Sequence, residues 1–178
     1  MNLTIKRMNS KGYTLIELLV YVVILVIISG VASAYFFQIS NIAETARRSR
    51  ESLDNARRAM NVITQEVRHA EAVYTPTSVF GSSPGQLSLE TTRDLPTDEN
   101  TTYVDFYLDD GGVYIKRENQ VEELISSEKV QVTNFTFTHL TGGAGNSVQV
   151  SLSVEYLDAT VGPSTPVTLT QTASLRSY

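Results

Sequence analysis

The sequence predicts an α+β fold in which one long N-terminal α-helix packs on a mainly antiparallel β-sheet head. Residues 18–43 form a 26-residue run without any charged side chain, and a short basic segment lies upstream of it. Apolar residues then recur every three or four positions to about Tyr74, which is the spacing of an amphipathic helix. Beyond Pro76, short alternating runs rich in threonine are bounded by Gly, Pro, Asn and Asp, a texture typical of β-strands.

The composition excludes several classes of protein. The 178 residues are 42% hydrophobic and 19% charged, which is typical of a folded chain. The absence of cysteine excludes disulfide scaffolds, thiol catalysis and thiolate metal sites. The net charge is -5, and residues 71–178 carry 14 acids against 5 bases, so we expect no direct nucleic-acid binding.

The uncharged run is long enough to cross a membrane. A helix of 20 to 26 residues spans about 30–39 Å, which matches the hydrocarbon thickness of a lipid bilayer. A cleaved secretory signal would have only about 7–15 apolar residues and a small-residue cleavage site, which Ser33-Ala34-Tyr35 imitates poorly. The basic residues Lys6, Arg7 and Lys11 place the N-terminus on the cytoplasmic side and the head outside the cytoplasm.

We divide the chain into four segments on this basis. They are a basic leader (1–12), a transmembrane helical half (13–39), an amphipathic helical half (40–74) and a β-rich head (75–178). An apolar stripe runs along the second half, and we expect it to pack on the protein's own sheet rather than form a free coiled coil. The stripe comprises Ile39, Ile42, Ala46, Ser49, Leu53, Ala56, Met60, Ile63, Val67, Ala70 and Tyr74.

Seven runs in the head are predicted to be strands. In the run from Ser147 to Tyr156, alternate apolar residues predict one buried and one exposed face. Asp109 to Gly112 reads as a hairpin turn, since its glycines accept a positive φ. The apolar parity changes near Asn134, which predicts a β-bulge. The seven predicted strands are Gln86–Thr92, Thr102–Leu108, Gly112–Arg117, Val121–Ser126, Val130–His139, Ser147–Tyr156 and Val167–Arg176.

The junction between leader and apolar helix resembles the processing signal of type IV prepilins and pseudopilins. In that family a short basic leader ends in Gly, followed by an aromatic residue and an apolar helix that carries a single acid. The resemblance implies that a prepilin peptidase cuts after Gly12 on the cytoplasmic side and methylates the new N-terminus at Tyr13, where Phe is commoner. The matching residues are Lys11-Gly12-Tyr13-Thr14-Leu15-Ile16-Glu17-Leu18-Leu19-Val20.

Glu17 is the acid at the N-terminal edge of the apolar run. A carboxylate in an apolar medium needs a compensating cation or donor, and cleavage would create an ammonium at Tyr13. The resemblance implies that Glu17 of one subunit pairs with the Tyr13 ammonium of its neighbour in a helical filament of pilins or pseudopilins. The alternative is that Glu17 only reaches the lipid headgroups.

The head also resembles a subgroup of this family. Its motifs are similar to those of J-type minor pseudopilins of type II secretion and W-type minor pilins. The resemblance implies a structural, non-enzymatic subunit that an inner-membrane assembly platform builds into a pilus or pseudopilus. A single-pass, membrane-anchored binding or adhesion module with a β head is the alternative function. The resembling segments are Tyr103–Leu108, Asp110–Gly112, Tyr114–Arg117 and Ala173–Arg176.

Other chemical motifs in the chain are interpreted as structural. Gly81 to Gly85 has the Gly-x-Ser-x-Gly pattern of hydrolases, but the residue after Ser83 is proline and has no N–H for an oxyanion hole. The histidines, His69 and His139, have no metal-like spacing. Asp94, Asp98 and Glu99 are weak calcium candidates; because they lack the EF-hand order, we read them as solvated turn acids and predict no cofactor.

Overall fold

The computed structural model describes residues 12–95, 97, 99–142, 145–157 and 165–176. One helix precedes two antiparallel sheets, which confirms the predicted α+β class. Of the predicted leader, only Gly12 belongs to the described residues. The elements are α1 (Leu15–His69), β1 (Ala72–Val73), β2 (Leu87–Thr91), β3 (Thr102–Asp109), β4 (Gly112–Arg117), β5 (Glu123–Leu124), β6 (Val130–Gly142), β7 (Gly145–Tyr156) and β8 (Val167–Ser174).

The helix α1 has 55 residues and ends at His69, so the predicted helical end near Tyr74 was wrong. After it, the main chain joins the first sheet instead: Glu71 N donates to Glu90 O and Tyr74 N donates to Ser88 O, both at 2.9 Å. The apolar spacing continued to Tyr74 because a strand that lies on the same core also presents apolar side chains to it. The predicted division into leader, helical halves and head stays a prediction.

Among the residues that the structure describes, the head contains two sheets. The first has five strands in the order β1-β2-β3-β4-β5, and the second has three in the order β6-β7-β8. Every pairing within them is antiparallel. Main-chain hydrogen bonds also link the second sheet to its surroundings, since Val132 N donates to Gly111 O at 2.9 Å and Gly85 N donates to Phe135 O at 2.8 Å.

Local signals in the head were predicted well. The β3–β4 turn has positive φ at Asp110 (43°) and Gly111 (73°), which confirms the hairpin. The register of β6 against β7 shifts between Val132 and Asn134, which confirms the bulge. Of the strand predicted from Val121 to Ser126, only the two residues of β5 are in a strand. The short strand β1 was not predicted.

The core forms where the C-terminal half of α1 meets both sheets. Ile63 and Val67 of the helix are fully buried and belong to one cluster with Phe106 of β3 and Phe135 of β6. The predicted stripe is therefore packed on the sheets and is not a coiled-coil seam over this stretch. Its buried members are Ala56, Met60, Ile63, Val67 and Ala70, whereas Leu53 is half-buried and Ile39, Ile42, Ala46 and Ser49 are exposed.

Small and polar helix residues also lie on this buried face, although the apolar spacing in the sequence did not predict them to be buried. Asn55 is 7% exposed, and its amide is satisfied on both sides. Its Oδ1 accepts from Ser127 N at 2.9 Å, and its Nδ2 donates to Glu51 O at 2.9 Å. The Thr64 hydroxyl donates a hydrogen bond to Met60 O at 2.8 Å. These bonds offset the cost of desolvating Asn55 and Thr64, whereas the buried Ser52 hydroxyl has no hydrogen-bond partner among the described residues.

The chain divides into two compact units, one ending at Glu44 and the other beginning at Thr45. The first unit is helical from Leu15 onward, and none of the residues in its most apolar stretch is buried. By length and composition, α1 is able to cross a membrane. The second unit contains the core described above.

Candidate functional site

Thr14 is the N-cap of α1. Its Oγ1 accepts from Glu17 N at 3.3 Å, and its carbonyl oxygen accepts from Leu18 N at 3.2 Å. The side-chain bond satisfies one of the backbone N–H groups that the first helical turn leaves without a partner, and the main-chain bond is the first hydrogen bond of the helix itself. Threonine followed three residues later by glutamate is the capping-box pattern, so the sequence itself carries a signal for the start of the helix.

Gly12 and Tyr13 lie outside the helix, in exposed backbone just ahead of this cap. A Cβ built on Gly12 would meet no atom within 4 Å, and Gly12 is not among the glycines with positive φ. Neither packing nor backbone conformation in the described residues therefore requires glycine at this position. Tyr13 is 77% exposed, and its ring makes an edge-to-face contact with the ring of Tyr21, with 6.4 Å between the ring centres.

Glu17 occupies the first turn of α1, where the helix dipole favours a negative charge. Its Oε1 accepts a hydrogen bond from the Tyr21 hydroxyl at 3.3 Å. Sequence reasoning missed Tyr21 as a partner, although the signal was present, since residues four apart are neighbours on a helix surface. Gly12, Tyr13 and Glu17 are thus gathered at the start of the helix with Thr14 and Tyr21, and we call these five residues the N-terminal site.

The calcium candidates do not form such a group in the part of the chain that the structure describes. Asp94 is exposed, has a φ of 57° and lies 3.9 Å from Arg93 Nε through its Oδ2. Glu99 is exposed as well, and Asp98 lies outside the described residues. Among described residues, no cluster of three or more His, Asp or Glu side chains has the arrangement of a metal site.

The hydrolase pattern at Gly81–Gly85 lies in a loop that hydrogen-bonds to strand β6. Ser83 Oγ accepts a hydrogen bond from Phe135 N at 3.1 Å, and the next element along the chain is the strand β2, where a nucleophile elbow requires a helix. His69 Nδ1 lies 2.7 Å from Gln65 O within α1. His139 stacks on Phe80, with 5.6 Å between ring centres. Ser83 and His69 thus hydrogen-bond to the main chain, whereas His139 contacts Phe80 through its ring and its buried Nε2 has no hydrogen-bond partner among the described residues.

One tyrosine of the head is electrostatically perturbed. The Tyr107 hydroxyl donates a short hydrogen bond to Glu122 Oε2. This bond, together with burial and the Glu122 charge, raises the pKa of Tyr107 to about 12. Its ring also stacks on that of Tyr114 across the β3–β4 ladder, with 5.9 Å between centres. The hydroxyl stays protonated at neutral pH, and its hydrogen bond links β3 to Glu122, the residue just before β5.

Comparison with known families gives a match that covers the N-terminal site. Residues 7–33 match the prokaryotic N-terminal methylation motif. Neither a curated protein nor a solved structure matches the chain. The J-type and W-type likeness of the head therefore has no support from these comparisons. The chain carries the prokaryotic N-terminal methylation motif at the start of a long apolar helix, and this is consistent with a type IV prepilin-like protein.

Proposed function

We propose that this chain is a structural subunit of a type IV pilus or of a type II secretion or competence pseudopilus. In this proposal it is inserted in the inner membrane as a prepilin, cut after Gly12 and assembled through its N-terminal helix. One observation carries the proposal: the methylation motif at residues 7–33 coincides with an exposed, non-helical Gly12–Tyr13 segment directly before an unburied apolar helix.

The exposed apolar half of α1 supports both a membrane-stored and an assembled state. Large side chains such as Leu25 (65% exposed) and Phe36 (68% exposed) have no cover within their unit. Exposed apolar surface on this scale is typical of segments that contact lipid or other protein chains. Lipid would cover it in the stored prepilin, and helices of neighbouring subunits would cover it in the filament.

The proposed cleavage fits the properties of Gly12. A protease needs an accessible, non-helical segment, and Gly12 and Tyr13 provide one. Since the fold does not require glycine at this position, the family's requirement for glycine is readily explained by recognition in the peptidase. The partners in this proposal are the prepilin peptidase, other pilins or pseudopilins, the assembly platform and the bilayer, with the head outside the cytoplasm.

The proposed assembly contact joins Glu17 to the Tyr13 ammonium of a neighbouring subunit. Within the described residues, Glu17 has a neutral donor in Tyr21 and no cationic partner. A carboxylate in a poorly hydrated helical bundle gains most from a cation, and the processed N-terminus supplies one at a fixed place on the next chain. This pairing would set the axial stagger between subunits.

Mass spectrometry of protein co-expressed with an active prepilin peptidase tests the proposal. We expect Tyr13 as the new N-terminus, carrying one methyl group if the peptidase also methylates. Gly12→Ala should be cut much less efficiently, whereas Gly30→Ala is a matched control, because a Cβ at either glycine meets no atom within 4 Å. A chain that keeps residues 1–12 beside an active peptidase would instead support the membrane-anchored binding or adhesion module.

A further inference from the structure

We propose that Tyr21 is a positioning residue for Glu17, holding the carboxylate on one face of α1 until a neighbouring subunit brings its ammonium. The inference rests on the proposed function, because it assigns an intramolecular step that precedes the contact between subunits. In the proposal the Tyr21 hydroxyl is the hydrogen-bond donor to Glu17 in the stored, membrane-inserted chain.

The geometry that carries the inference is a contact between two side chains one helical turn apart. The Tyr21 hydroxyl lies 3.3 Å from Glu17 Oε1. Residues four apart on a helix differ by only about 40° around its axis, so both side chains occupy one face. Tyr21 also contacts Tyr13 edge-on, and it therefore touches both the residue that bears the carboxylate and the residue that bears the new N-terminus.

Among the described residues, Tyr21 is the side chain that donates a hydrogen bond to the Glu17 carboxylate. Tyr21 is the one polar residue between Leu18 and Ile28, and every other residue in that interval is Leu, Val or Ile. The Thr14 hydroxyl accepts from Glu17 N at the cap, and among the described residues it makes no hydrogen bond to the Glu17 carboxylate. In the hydrocarbon region, where water cannot supply donors, the Tyr21 hydroxyl thus becomes the carboxylate's nearest source of a hydrogen bond.

Without that hydroxyl the carboxylate must find its donors elsewhere. The nearest supply is the headgroup layer, which a glutamate side chain reaches by turning toward the N-terminal end of the helix. A carboxylate turned that way is no longer held on the helix face that Tyr21 shares. Capture of a neighbour's ammonium then requires an extra reorientation, so assembly should slow although insertion and processing do not change.

Infrared spectroscopy of the full processed chain in lipid vesicles tests the contact directly. With ¹³C-labelled glutamate carboxyl groups, subtracting the spectrum of Glu17→Gln isolates the Glu17 band, whose position reports its hydrogen bonding. We expect the band to move in Tyr21→Phe and to stay in place in Tyr35→Phe, which removes the hydroxyl of another exposed tyrosine of α1. An unmoved band in Tyr21→Phe would overturn the inference.

Incorporation into sheared filaments tests whether the contact matters for assembly. Tyr21→Phe should insert and be cut like the wild type but enter filaments several-fold less, and Tyr35→Phe should enter normally. Wild-type incorporation of Tyr21→Phe would overturn the positioning role even if the infrared band moved. Failure of the proposed function has a different signature, namely an uncut chain or normal incorporation of Glu17→Val.

Discussion

The two halves of α1 are the same kind of helix with opposite surroundings. Between Leu18 and Ala43 the large apolar side chains are exposed, as in Leu25 (65%) and Phe36 (68%). Beyond Thr45 the helix buries smaller and more polar residues, among them Asn55, Ala59 and Thr64. The most apolar part of this chain is therefore the part that its own fold does not cover.

This contrast separates two uses of apolar surface. A helix that packs on its own sheets needs close approach, and Ala56 and Ala59 permit it while Ile63 and Val67 belong to the same buried cluster as residues of both sheets. A helix that is surrounded by lipid or by copies of itself has no such constraint on side-chain size, and its apolar residues continue around the whole circumference. Substitutions of the same type in the two halves should consequently act on different properties.

The largest effect we expect is that of a charge placed in the buried half. Ile63 is 0% exposed, so Ile63→Asp should lower the free energy of unfolding of a soluble form beginning at Ser40 by at least about 3 kcal/mol, because it removes core contacts and buries an unpaired carboxylate. Leu53→Asp should cost less, since Leu53 is only half-buried. Urea unfolding followed by circular dichroism measures both values.

The matched substitution in the other half is Leu25→Asp in the full chain. It should leave the melting temperature of the head unchanged and weaken membrane insertion instead, as a charge at the centre of a span costs about 3 kcal/mol. Unchanged stability of Ile63→Asp, or destabilisation of the head by Leu25→Asp, would contradict the contrast between the two halves.

The next effect concerns assembly, where we expect Glu17→Val to insert and be cut but to enter filaments at least about tenfold less. An ammonium left unpaired away from water costs several kcal/mol, and about 1.4 kcal/mol corresponds to a factor of ten. Quantitative blotting of sheared filaments, with crosslinking near Tyr13, measures the loss. The variant should be supplied beside wild-type copies, so that entry at the filament tip is distinguished from entry beneath it. Normal entry beneath the tip would remove Glu17 from the assembly contact.

The sequence predicted those features that depend on local periodicity. The apolar run, the alternation in β7, the turn at Asp110 and Gly111 and the bulge before Asn134 all follow from neighbouring residues, and the structure has each of them. The N-terminal site was equally local, since a few consecutive residues carry its motif. Features that depend on distant partners were missed.

Three of those missed features show why. The helix ends at His69 because Glu71 and Tyr74 pair with β2, a contact that no pattern within the helix reveals. Asn55 is buried because Ser127, far along the chain, donates to it. The separation of the head into two sheets depends in the same way on which strands pair across long loops. Tyr21 is different, since its i+4 spacing from Glu17 was available in the sequence.

The smallest effect we expect is on the pH dependence of the head's stability, at Tyr107. Because the folded pKa of Tyr107 is raised to about 12 from 10.0, the neutral hydroxyl stabilises the fold below pH 10, and this contribution is lost as the pH rises from about 10 to about 12. Tyr107→Phe should therefore lower stability by less than about 1 kcal/mol at pH 8, because the site is partly open to water, and the difference should vanish near pH 12. Glu122→Gln removes the charge that accepts the hydrogen bond and should flatten the same pH dependence. Urea unfolding at pH 8, 10 and 11.5 measures the free energy of unfolding of each protein. If that free energy changes with pH by the same amount in wild type and Tyr107→Phe, the Glu122 contact contributes nothing to stability.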